Sequence, residues 1–316
     1  MAFSLRRRDR DAGPPAPFVV SSPRSGSTLL RMMLDAHREL AIPSETHFVP
    51  ALIESFDDAD PSAESVAATL RGHRRWDDFH LDPDELLARL HRAEPLTAGN
   101  AIRAFFGLYA ESRGKPRWGD KTPEYVEHMR QIERALPEAR FVHVIRDGRD
   151  VALSRTKWRM KRVGRKPPVE RLAKKWKKAI TVARRQGNRV GHYLEVRYED
   201  LVGETEPALR RICEFAELEF DPAMLRYHEG AAERLEEIAH TLPEREDRTA
   251  LAAEARLSKH EMTTKPPERD RIFAWRGEMS EEDLATFEAE AGDLLAELGY
   301  PVGSGAREAA TVAAEG

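Results

Sequence analysis

The sequence predicts an α/β protein with a central, mostly parallel sheet flanked by helices. Short apolar, β-rich runs stand at Phe18-Val19-Val20, at 140–145 and at 192–197. Each feeds a polar turn, and helical patterns lie between them, which favours parallel strands joined by crossovers. The composition permits a large core. Of 316 residues 41% are hydrophobic, and 51 Lys and Arg against 55 Asp and Glu leave a net charge of -4.

The elements follow in order. Residues 1–16 carry charge but no apolar block, so they predict a disordered leader rather than a secretory signal. After the first run, Leu29, Leu30, Met33, Leu34 and His37 keep helical spacing, so a helix starts near Ser27. Residues 57–95 predict helices with start signals at DDADPSAES and LDPDEL. A further helix is expected from Pro207 to Phe220, with Leu209, Ile212, Cys213 and Phe215 inward. The last helix is capped by Ser280, with Asp283 at the reciprocal position. Its stripe is Leu284, Phe287, Ala291, Leu294, Leu295 and Leu298, and Gly299 ends it. One domain over 17–300 and a flexible tail over 301–316 result.

Several classes are excluded. Cys213 is the one cysteine, so no intramolecular disulfide or multi-cysteine metal site can form. No apolar stretch approaches the ~20 residues of a membrane span. The near-neutral total argues against a general nucleic-acid binder. A cytoplasmic location is expected, and no HExxH-type spacing calls for a metal. From Arg155 to Arg189 stand fifteen Lys or Arg and one acid, Glu170. Val169, Leu172, Trp176, Ile180 and Ala183 recur there at helical spacing, so most of these charges read as a solvated helix face. A positive field around an anionic ligand is the sharper reading, and both can hold. The aromatics Phe48, Phe56, Trp76, Phe79, Phe105, Phe106 and Tyr109 read as core rather than pocket.

Chemistry concentrates where strands end. Ser22-Pro23-Arg24-Ser25-Gly26-Ser27-Thr28 joins the first strand to a helix start with unpaired N–H groups and a positive dipole end. Gly26 permits close backbone approach, Ser25, Ser27 and Thr28 supply hydroxyls, and Arg24 supplies a planar charge. Together they predict a phosphate cradle. It departs from the triphosphate P-loop, because Ser27 follows Gly26 where that loop has Lys.

SSPRSGSTLLRMMLDAH resembles the 5′-phosphosulfate loop of sulfotransferases that use 3′-phosphoadenosine 5′-phosphosulfate (PAPS). Arg146 and Ser154, in RDGRDVALS after the second strand, are similar to that family's 3′-phosphate pair. The resemblance implies a P-loop-like sulfotransferase fold and is nearest to the tyrosylprotein sulfotransferase branch and its bacterial small-molecule relatives. It implies Glu45 as the catalytic glutamate, with His47 as alternative base. It further implies Lys121 at the lysine of the WGDKTPEYVEHM segment, Tyr198 beside the nucleotide, and Thr263 at a catalytic serine position. That branch's basic residue before the late tryptophan is Ala274 here, and Arg276 after Trp275 stands in for it. The expected reaction is in-line sulfuryl transfer from PAPS to a small alcohol or phenol, releasing adenosine 3′,5′-bisphosphate without a metal. Arg24, Lys121 and the cradle would meet the leaving phosphate. Protein tyrosine is the alternative acceptor. A P-loop kinase and a non-catalytic nucleotide binder are the alternatives of other classes. A homodimer is compatible with the sequence, which leaves the oligomeric state open.

Overall fold

The structure, a computed structural model, describes residues 13–244, 250–258 and 261–303. Most of the expected leader (1–12) and of the expected tail (304–316) lies outside the described residues. Among the described residues there are six strands: β1 (Ala16–Ser21), β2 (Leu40–Ala41), β3 (Arg117–Trp118), β4 (Asp120–Lys121), β5 (Ala139–Ile145) and β6 (Tyr193–Arg197). The main sheet has the order β4-β1-β5-β6 with every pair parallel, and β2 and β3 form a second parallel pair. The three sequence-predicted strands are β1, β5 and β6. The other three are two residues long, too short to leave a pattern.

β1 is buried along its whole length, and so is β5 apart from Arg140. Their continuous apolar runs reflect helices on both faces. On one face Phe18 and Phe141 pack with Phe105, Phe106 and Tyr109, and Phe106 stacks on Trp118 with centroids 4.8 Å apart. On the other, Val19, Val142 and Val144 meet Leu30, Met33 and Leu34, followed by Leu209 and Ile212. Phe48 and Phe79 are core as expected, while Phe56 and Trp76 sit half-buried at its edge.

The helix Ser27–Asp35 starts where predicted but stops before His37, whose Nε2 bonds the Glu219 carbonyl at 2.8 Å. Ser62 and Asp82 cap the helices Ala63–Arg71 and Pro83–Arg92. The helix expected over Pro207–Phe220 is Thr205–Phe215. It ends because Glu217 turns left-handed (φ 52°) and the Leu218 N–H returns to the Cys213 carbonyl at 2.9 Å. Phe215 is consequently only half-buried. The basic segment forms the helices Gly148–Val163 and Val169–Gly187; the second buries Val169, Leu172, Trp176, Ile180 and Ala183. The last helix, Glu281–Glu297, accepts its cap at Ser280 from the Asp283 N–H at 3.2 Å. Among the described residues no helix is long and apolar enough to cross a membrane.

Two close approaches fix the strand ends. Gly26 has φ 94°, and a Cβ there would lie 2.3 Å from the Tyr198 ring. A Cβ on Gly148 would lie 2.5 Å from Trp176. Behind them Glu199 accepts the Asp147 N–H at 2.9 Å and the Tyr300 hydroxyl at 3.0 Å. Burial, with the Asp147 charge beside it, pushes the Glu199 carboxyl up to about 7.

Two outcomes follow from this packing. Gly26→Ala should lose about 1–3 kcal/mol by chemical denaturation, since both the φ and the Tyr198 contact oppose a methyl. Glu199 favours the fold while protonated, fully so below its unfolded value, and that advantage is lost as pH rises through about 7. Glu199→Gln should therefore melt like the parent near pH 4 but roughly 2–6 °C higher at pH 8. A calorimetric difference that does not change with pH would disprove this.

Candidate active site

Parallel pairing sets the four main strands to end at one edge. Val19 lies opposite Lys121, Ser21 opposite Val144, and Ile145 opposite Arg197. The Ser22–Gly26 loop, Lys121, Arg146 and Tyr198 therefore emerge together. They line a cavity of about 380 Å³, covered by residues from 251 to 271. Eight cationic side chains face it against three carboxylates, so the space suits an anion.

At one end Arg24, Ser154 and Arg146 converge. Arg24 (φ 77°) donates from Nε to Ser154 Oγ at 3.2 Å. Arg146 stacks on the Tyr198 ring, 4.3 Å from its centroid, and donates to the Arg271 carbonyl at 2.7 Å. Burial, reinforced by the Arg146, Arg271 and Arg155 guanidiniums, pushes Arg24 below its ordinary range. Arg146 Nε and Ser25 Oγ are buried with no hydrogen-bond partner among the described residues. Crowded cations and open donors are the conditions an anion relieves.

At the other end the Glu45 carboxylate is the centre. Lys121 Nζ donates to its Oε1 at 2.7 Å and to Thr28 Oγ1 at 3.4 Å. His47 Nε2 and Arg75 Nη2 lie 3.2 and 3.4 Å from Oε2. Burial alone would raise the Glu45 carboxyl, but Lys121, the His47 hydrogen bond and Arg75 hold it well below the usual carboxylate range. Burial lowers Lys121 in turn, against the pull of Glu45. The neighbouring Asp120 anchors this loop. It accepts from Thr46 Oγ1 at 2.7 Å, and burial pushes it up to about 6.

Of the sequence-predicted site residues, Arg24, Gly26, Ser27, Thr28, Glu45, Lys121, Arg146, Ser154, Tyr198 and Thr263 all line this one cavity. His47 stands behind Glu45 at a left-handed φ of 57°. Ser25 is fully buried under the loop rather than on the cavity wall. Arg24, expected at the 5′ cradle, turns to the Arg146–Ser154 side. Arg276 does not reach the cavity. Asp150 accepts the Phe273 and Trp275 N–H groups, each at 2.9 Å, and Trp275 buries; this turns Arg276 onto the Phe273 ring, and Arg271 lines the cavity instead. Sequence reading missed Arg75 and Arg256, which lie in segments without a motif, and Arg271, which lies in the stretch 257–280 that resembles the family's cover but was not singled out there. The Arg and Asp pairs of HRRWDDF were the only signal for Arg75. The basic segment contributes Arg155 and Trp158 to the wall.

The sulfotransferase family matches residues 15–222. A protein-tyrosine sulfotransferase A of Caenorhabditis elegans is 27% identical over 290 residues, covering 90% of this chain and 66% of that one. The nodulation protein NoeE of Sinorhizobium fredii is 27% identical over 304 residues, covering 90% of this chain and 65% of that one. This chain thus spans just under two thirds of the length of these relatives. The sulfotransferase domain of the Synechococcus PCC 7002 olefin synthase has the same fold, with a TM-score of 0.55 at 24% identity over 90% of this chain and 96% of that domain. The family model covers about two thirds of the chain, which therefore belongs to the sulfotransferase family.

Proposed function

We propose that the chain moves a sulfuryl group from PAPS to an acceptor hydroxyl, with Glu45 as general base. The observation that carries this reading is Lys121 between the Glu45 carboxylate (2.7 Å) and the cradle hydroxyl of Thr28 (3.4 Å). The site fits a nucleotide with phosphates at both ends. Arg146, which lines the cavity, has a buried Nε with no hydrogen-bond partner among the described residues, and Gly26 brings the loop backbone close against the Tyr198 ring.

PAPS supplies an activated sulfur whose bond to the 5′-phosphate oxygen breaks as the acceptor oxygen bonds to it. Glu45 takes the acceptor proton, which general-base help makes worth about 10²–10⁴-fold. Lys121, Ser27, Thr28 and the helix-start N–H groups meet the charge on the departing phosphate. Arg146, Ser154 and Arg24 hold the 3′-phosphate, and Tyr198 walls that end. Thr263 is a further donor from the cover, and His47 orients Glu45.

Concerning the acceptor, the names of the curated relatives favour protein tyrosine, which we take as the leading reading. A small alcohol or phenol is supported by one observation. Ile238, Leu251 and Met262 put apolar side chains on the wall of the cavity that Glu45 also lines, a surface that suits a small apolar acceptor. The cytoplasmic location expected from the sequence remains part of this proposal, with a homodimer as one compatible assembly.

Incubation with ³⁵S-labelled PAPS, tyrosine peptides and small phenols should label one acceptor class; no transfer to either would refute the reaction. Glu45→Ala should reduce turnover about 10²–10⁴-fold while adenosine 3′,5′-bisphosphate affinity stays within about twofold. Arg146→Ala should weaken that affinity about 10–100-fold by calorimetry, the size of a charge-assisted hydrogen bond. A kinase would instead be stabilised by magnesium ATP in preference to the bisphosphate in a thermal-shift comparison.

A further inference from the structure

We propose that Arg75 is a positioning residue for the Glu45 carboxylate, held there by the buried Asp78, which also clasps Arg256 from the segment covering the cavity. The inference rests on Glu45 as the base.

Asp78 closes a 3-10 turn (Trp76–Asp78) that no sequence motif marks, and it is fully buried. Both its oxygens accept from Arg256 Nη2, at 2.7 and 2.6 Å. His240 Nε2 lies 3.0 Å from Oδ1, Ser44 Oγ donates to Oδ2 at 3.2 Å, and Arg75 Nη1 donates to Oδ2 at 3.4 Å. The opposite nitrogen of that guanidinium reaches Glu45 Oε2, also at 3.4 Å. A planar fork can bridge two carboxylates in fixed geometry, which a lysine cannot do. Ser44 supplies a second tie, since it directly precedes Glu45.

Asp78 also reaches the cover. Arg256 Nη1 donates to the His240 carbonyl at 3.0 Å, and an antiparallel bridge joins Leu242 to Leu251. Leu251 and Arg256 line the cavity. One carboxylate thus fixes both the cover over the Glu45 end and the guanidinium that orients Glu45. Lys121, His47, Arg75 and the more distant Arg24 are the charged groups facing Glu45. Arg75, Arg256 and His240 face Asp78. Among the described residues Arg75 is the charged group in both sets.

The test uses the full chain and two readouts. Glutamate labelled with ¹³C at the carboxyl, with Glu45→Gln to assign the signal, gives the Glu45 titration midpoint in the ligand-free protein. Loss of the nearby cation in Arg75→Gln should raise that midpoint by about one unit. It should move the acidic limb of the kcat–pH profile the same way and lower kcat about tenfold or more. Arg75→Lys should restore the midpoint but not kcat. Adenosine 3′,5′-bisphosphate affinity should stay within about twofold in both, which shows that they fold. Adding Asp78→Asn to Arg75→Gln should move the midpoint little further, because the charge of Asp78 is coupled to Glu45 through Arg75, while any further loss of kcat reports the cover that Asp78 also holds through Arg256. An unmoved midpoint in Arg75→Gln would overturn the proposal. A moved midpoint in a protein that transfers sulfate to no acceptor would support the positioning and refute the reaction instead.

Discussion

Val19 stands opposite Lys121 and Ser21 opposite Val144, so the main strands end nearly level at one edge. A parallel sheet must place its crossovers outside, which leaves the carboxyl ends free to present loops to a common space. Side-chain period in a strand is two, so a one-residue slip of β5 against β1 would turn Phe141 away from Phe18 and carry Arg146 off the edge. The core pairs Phe18 with Phe141 at 5.8 Å between centroids, and that contact forbids the slip. Hydrophobic packing along the strands thus fixes the spacing of charges at their ends.

The charges need a counterweight. Four guanidiniums at one end would repel, and the protein answers with acids behind the strand ends rather than in the cavity. Asp150 accepts two backbone N–H groups and faces Arg146 at 3.4 Å, and burial pushes it up to about 6. Asp147 pairs with the fully buried Arg149 at 2.7 Å, and Arg149 lies 3.6 Å over the Trp275 ring. These contacts hold the 271–275 segment, and with it Arg271, against the sheet. Part of the positive field is left uncompensated toward the cavity, where an anionic ligand would complete the balance.

The sheet's centre was legible because β1, β5 and β6 are runs of five or more residues with apolar composition. Gly26 and Arg146 were legible because each lies in the turn that follows such a run, whereas Arg24 was legible as a residue of that turn but not in its direction, toward Ser154. Glu45 and Lys121 had no such signal. β4 is two residues long, and the Glu45 loop is positioned by Asp120, Thr46 and Tyr125 across more than seventy residues of chain. Only family likeness could pair them. Arg75, Asp78 and Arg256 were invisible because their linkage spans residues 75 to 256 and depends on how one buried carboxylate is shared. Arg276 was misplaced because spacing to Trp275 says nothing of which way a short helical turn faces once Asp150 grips its backbone.

A carboxylate held far below its usual range is a poor base, and Glu45 is so held while Lys121 bonds it. Lys121 is buried and sits within reach of Thr28 as well. A group of lowered proton affinity on each side of that pair makes the ammonium easy to share. A developing negative charge at the cradle would draw Nζ from Glu45 toward the phosphate, and each increment of that shift raises the proton affinity of Glu45. Base strength would then grow as the leaving group departs, which is when the acceptor hydroxyl becomes acidic. Arg75 cannot follow Lys121 in this exchange, because Asp78 holds its other nitrogen. On the proposed mechanism it would keep the carboxylate aimed while the lysine lets go, so that orientation and basicity would come from two different cations.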